Sequence, residues 1–243
     1  MILILTKLKI KLIFLISLLG FSTGLLGKGG ILGRGGFNVY AGTGIIYYQG
    51  DLKETSVPDF YTSHVLGKMG ITYNFFNWGE LKAQYVFGEL SGNDMYTLNA
   101  WRGIKFTSPV NEYSVQFKLN LNGFLKKRTW DFYVQGGIGT FTFQPTVTYG
   151  TLSSYVPESG FTSPQISYLF AMGITKWLSS HWGVALEGTY RKTNTDYIDG
   201  ISKNGNPNRN DAFIDVSMVA FYRLNFKKKS DDPRSFPSHC PSF

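Results

Sequence analysis

Acyl transfer needs a base beside a nucleophile, and a histidine next to a serine or threonine is the common pairing. Past residue 27 the chain holds three histidines: His64, His181 and His239. His64 directly follows Thr62 and Ser63, but neighbours in an extended chain point to opposite faces, so adjacency alone makes no dyad. His181 falls in a short turn and His239 in the tail, which leaves His64 as a solvated loop residue. The stretch 194–211 (NTDYIDGISKNGNPNRND) is rich in Asn and Asp. Its acids miss the alternating positions of an EF-hand loop, so it reads as a polar surface loop and not a calcium site. Gly136-Gly137-Ile138-Gly139 sits inside a strand pattern with no helix after it, which excludes a phosphate cradle. Glycine there permits curvature or close packing. No catalytic, cofactor-binding or metal-ligating residue is assigned, and no cofactor is expected.

The elements that would position any site are strands. Tyr113, Val115, Phe117, Leu119 and Leu121 interleave with Glu112, Ser114, Gln116, Lys118 and Asn120, a period of two that marks one apolar and one polar face. The same alternation recurs along the chain and predicts strands over 37–49, 64–75, 81–90, 110–122, 130–143, 164–177, 182–192 and 212–226. Their connections alternate. Short turns fall at 76–80, 123–129 and 178–181, and loops of about 14–20 residues, rich in Gly, Ser, Asn, Asp and Pro, fall between the other strands. Eight strands of about 9–11 residues, with short turns on one side and long loops on the other, describe an antiparallel transmembrane barrel of the outer-membrane kind, its short turns periplasmic. Trp78, Trp130, Trp177 and Trp182 lie in or beside the short turns and only Trp101 lies in a long loop, as a periplasmic aromatic girdle requires. The fold class is therefore all-β: an eight-stranded antiparallel transmembrane outer-membrane β-barrel.

In such a barrel the apolar faces meet lipid and the polar faces fill the lumen. The polar faces carry Lys68, Lys82, Gln84, Glu112, Gln116, Lys118, Gln135, Glu187, Arg191, Asp215 and Arg223. Buried charges must pair, so Glu187 or Asp215 is expected to meet Arg191 or Arg223 across the last two strands, in a structural network.

Lys7, Lys9 and Lys11 precede the apolar run 12–19 and the small residues Gly20, Ser22, Thr23 and Gly24, the pattern of a secretory signal peptide. This divides the chain into a signal peptide 1–27, a leading segment 28–36, the barrel 37–226 and a periplasmic tail 227–243. Within the barrel the chain ends on Tyr222-Arg223-Leu224-Asn225-Phe226, an alternating close ending in an aromatic. The formal charge of +8 shrinks once signal peptide, leading segment and tail are set aside, and the barrel itself is almost neutral. No basic face remains for a phosphate backbone, which excludes nucleic acid as a partner. A single cysteine, Cys240, excludes a disulfide scaffold.

Several stretches resemble the PorG-like outer-membrane barrels associated with type IX secretion. They are Tyr47–Leu52, Leu66–Asp94 with Ile71–Phe75 entering a short turn, Trp101–Phe106, Gly137-Ile138-Gly139 continuing to Phe141–Pro145, and Glu187–Asp199. The resemblance covers about residues 37–226 and departs from the family at Asp199-Gly200, where a second acid is usual. It implies a non-enzymatic component of a protein secretion apparatus, anchored in outer-membrane lipid and contacting periplasmic secretion-ring proteins. The alternatives are a small structural or ligand-binding barrel unrelated to secretion, and a lipid-modifying enzyme.

Overall fold

Alternating residues define each strand and hairpin turns set their order. A computed structural model of the chain describes residues 36–50, 52, 62–76, 78–96, 100, 103–121, 130–150, 163–201 and 210–224. The strands are β1 (Phe37–Gln49), β2 (His64–Asn74), β3 (Gly79–Asn93), β4 (Lys105–Asn120), β5 (Asp131–Phe143), β6 (Thr146–Thr148), β7 (Gln165–Trp177), β8 (Trp182–Thr193) and β9 (Ala212–Leu224). Each long strand pairs antiparallel with the next, β5 passing over the short β6 to β7. β1 also pairs with β9 along its whole length, Phe37 opposite Leu224 and Gln49 opposite Ala212. Eight strands thus close a ring with no free edge, the form in which strands can cross hydrocarbon with every backbone group bonded. The barrel expected from the alternation is the barrel observed. β6 was not anticipated; it pairs with the start of β4, Lys105 opposite Thr148. The proposed signal peptide, the tail, His239 and Trp101 lie outside the described residues.

Polarity across the sheet reverses partway along the strands. From Glu112 to Asn120, β4 turns Tyr113, Val115 and Phe117 outward and Glu112, Gln116 and Lys118 inward. Above Glu112 the apolar side chains, Val110 and Phe106, face inward, while Asn111, Pro109, Thr107 and Lys105 face out. β3 does the same: Leu81 and Phe87 point outward, then Glu89 and Ser91 follow on that face while Leu90 is fully buried. This reversal marks the outer boundary of the lipid belt. Beyond it both strands continue into water, which is why β3 runs past the expected 90 and β4 begins before the expected 110.

Close packing of the ring depends on glycine where neighbouring strands approach each other. A Cβ on Gly137 would lie 2.3 Å from the carbonyl oxygen of Val115 on β4, so any side chain there would force the two strands apart. The aromatic girdle differs from expectation at one position. Trp78, Trp130 and Trp182 are exposed beside the short turns, but Trp177 shares the inward parity of Thr175 and packs against the inner cluster of Tyr40, Tyr133 and Phe221.

Candidate functional site

Inward residues stack into three layers. Nearest the short turns, Lys118 pairs with Glu80 at 3.3 Å, and Asn120 donates to the same carboxylate at 2.6 Å. The Lys118 ammonium also sits 4.3 Å from the Tyr133 ring centre, where the ring's negative face favours a cation. In the middle, Glu187 of β8 gathers its partners from three other strands. Lys68 donates at 3.1 Å and Lys82 at 2.8 Å, while the Tyr133 hydroxyl and the Gln135 amide donate at 2.9 and 3.0 Å. Asp215 takes Lys68 at 2.8 Å and the Arg191 guanidinium. Arg191 reaches Glu112 at 3.0 Å, and Ser167 donates to the other oxygen of that carboxylate at 2.9 Å.

The expected Asp215–Arg191 contact is present. Arg223 does not join it; its guanidinium lies over the Trp177 ring at 4.1 Å, close to the short-turn end. The buried charges of these two layers are four cations (Lys68, Lys82, Lys118, Arg191) and four anions (Glu80, Glu112, Glu187, Asp215). Their balance, and the donors saturating Glu187, remove most of the cost of burying ions.

The third layer is apolar and fills the outer end. Ile46, Leu66, Leu90, Phe141, Phe143 and Phe213 from the strands meet Leu52, Ile104, Ile198 and Ile201 from the loops. The acids of the 194–211 loop face inward, not to water as expected. The Tyr48 hydroxyl contacts Asp199 at 2.9 Å and Asp211 as well. Asp211 accepts from the Ile198 amide at 3.0 Å and Asp199 from the Ile201 amide at 2.9 Å. These bonds explain the burial of Asp199 and Asp211: the two carboxylates fasten the loop over the plug. No group of His, Cys, Asp and Glu able to hold a metal occurs among the described residues.

His64, expected as a solvated loop residue, begins β2 and has side-chain partners. Its partners come from the neighbouring strand. Nε2 lies 2.8 Å from the Ser91 hydroxyl and Nδ1 lies 3.6 Å from Glu89. Glu89 and Ser91 are two apart on β3, so they share a face. The β2–β3 ladder, with Leu66 opposite Gly88, carries the start of β2 against them. Register does not reveal the trio: continued from Leu66 opposite Gly88 it sets His64 opposite Leu90, on the other face from Glu89 and Ser91, so no signal in the sequence pointed to these contacts. His181, by contrast, meets Ser180 at 2.8 Å in the turn before β8 and stacks on Tyr222.

The ring is closed, apolar towards its surroundings and charged within. This chain is a transmembrane barrel of the outer-membrane type. No protein-family model and no curated protein matches the chain. Solved structures similar to it include Neisserial surface protein A, at 10% identity and TM-score 0.44 over 77% of this chain and 97% of that one. Another is the attachment invasion locus protein Ail of Yersinia pestis with a heparin analogue, at 10% identity and TM-score 0.44 over 78% and 99%. A third is OprG from Pseudomonas aeruginosa, at 13% identity and TM-score 0.41 over 79% and 96%.

Among the described residues an apolar plug caps the charged layer at its outer end. The purified protein in a planar bilayer is expected to give no steady conductance. Discrete open-channel steps would contradict the plug.

Proposed function

We propose that the protein is a sealed outer-membrane barrel that anchors periplasmic partners for a secretion apparatus of the type IX class. The observation that carries the anchoring role is the filled lumen: a charge-balanced middle beneath an apolar plug leaves function to the rims and the lipid-facing wall. The secretion assignment is supported by the resemblance to PorG-like barrels. The stretches that carry it converge in space, since Tyr48, Leu52, Ile104, Phe106, Phe141, Phe143 and Ile198 all belong to the plug. A shared plug is a structural reason for those separate motifs to occur together.

Deleting the gene is expected to leave the apparatus's cargo inside the cell envelope. Photo-crosslinkers placed in the 178–181 turn are expected to capture periplasmic secretion-ring proteins. Normal cargo export in the deletion strain would refute the secretion role.

A further inference from the structure

We propose that Ser91, His64 and Glu89 form an ester-hydrolysing site at the outer lipid–water boundary, taking acyl esters of outer-leaflet lipid as substrate. This activity goes beyond the anchoring role and does not depend on it.

The geometry has the order that acyl transfer requires. Glu89 lies nearest Nδ1 of His64, at 3.6 Å, and Ser91 lies 2.8 Å from Nε2. A carboxylate at Nδ1 favours the proton there, which leaves Nε2 as the acceptor facing the serine hydroxyl. The 3.6 Å separation is longer than a hydrogen bond, as is common before substrate binds. Ser91 also donates to the Thr62 carbonyl at 3.2 Å, the longer of its two contacts, so its single proton must turn from that carbonyl to Nε2 as the hydroxyl attacks. His64 and Glu89 are 36% and 46% exposed at the side chain, so substrate can reach them, unlike the buried carboxylates of the lumen.

Position selects the substrate class. On the outward face of β3 the last lipid-facing aromatic is Phe87, and Glu89 and Ser91 follow it. At about 3.3 Å per residue they stand about 7 Å and about 13 Å further along the strand. Val65, 73% exposed at the start of β2, extends the apolar wall beside them. With strands tilted by about 35–45° these are rises of about 5 Å and about 10 Å above Phe87, so the trio stands in the head-group layer just outside a lipid's acyl esters. The wall would seat the chain and the trio would meet the ester.

In the reaction, the Ser91 oxygen attacks the ester carbonyl as His64 Nε2 accepts its proton. Collapse of the tetrahedral species breaks the bond to the alkoxide, which takes that proton from His64 and leaves as the alcohol. Water then attacks the acyl-serine, giving its proton to Nε2. The carboxylic acid departs as Ser91 recovers a proton from His64. The net reaction is ester plus water to alcohol plus acid. Glu89 is a positioning residue, holding the imidazole's tautomer and stabilising its protonated form.

The test uses the full chain folded in detergent and in vesicles, with folding of every variant checked by its heat-dependent gel mobility. A fluorophosphonate probe is expected to label Ser91, located by peptide mass spectrometry. Labelling should vanish in Ser91→Ala and slow at least ~100-fold in His64→Gln. Glu89→Gln should also slow it, with Glu89→Asp recovering part of the rate, which a merely structural contact would not do. Fatty acid release is then measured from vesicles of diacyl phosphatidylethanolamine and from vesicles carrying lipopolysaccharide; release from either supports the proposal and identifies the lipid. Ser91 labelling unchanged in folded His64→Gln overturns the proposed chemistry. Absence of fatty acid from both vesicle types overturns the substrate assignment.

Discussion

Glu187→Ala is expected to lower the unfolding free energy by about 3–5 kcal/mol, the cost of breaking a buried ion pair by removing one partner. The reason is local and specific. Lys68, Lys82, Tyr133 and Gln135 all donate to this carboxylate, and Glu187 itself is only 1% exposed. Truncation leaves Lys68 paired with Asp215 but takes from Lys82, in a closed space, both of the contacts it makes with Glu187. Urea titration in phospholipid vesicles would read the change as a lower midpoint. Charge balance predicts a second result. Lys82→Met combined with Glu187→Leu removes one charge of each sign, so it should cost less than the two single changes added together. Strict additivity would mean that the lumen charges do not act as a network.

Much of this architecture was legible in the order of residues, and the exceptions share a cause. The run from Glu112 to Leu121 reads correctly because one rule, apolar outward, holds throughout the lipid belt. It fails above Val110 and beyond Leu90, where water lies outside and the plug inside. A reading tied to one polarity therefore stops the strand where the solvent changes. Trp177 fails for another reason: composition places it beside a short turn, but the parity of β7 aims it inward. Asp215 and Arg191 were legible as partners because adjacent strands β8 and β9 carry them. Lys68 and Lys82 were recognised as lumen residues, but their convergence on Glu187 spans 119 and 105 positions of the chain. Only ring closure brings such residues together. The His64 trio rests on a side-chain approach at the start of β2, which neither sequence adjacency nor strand register expresses.

Phe213 is where the plug meets the network, so its removal should be felt in both. Its side chain is fully buried, with the Phe141 ring edge-on at 5.9 Å and the Arg191 guanidinium 5.2 Å from the ring centre. Phe213→Ala is expected to cost about 3–5 kcal/mol through lost apolar contact and the cavity left behind. The Arg191 guanidinium also loses the ring face against which it packs. A further consequence separates this variant from Glu187→Ala. Ile198 and Ile201 rest in the same plug as Phe213, and they carry the loop that Asp199 and Asp211 fasten. Removing the ring should loosen that loop before the barrel opens, so limited proteolysis should cut within 194–211 at denaturant levels that leave the barrel folded. Glu187→Ala weakens the middle layer and leaves the plug's own contacts in place, so it should show no such early cut. Phe213→Leu, which retains apolar volume, should recover most of the loop's protection. Equal protection in all three proteins would show that the loop is held by its carboxylates alone.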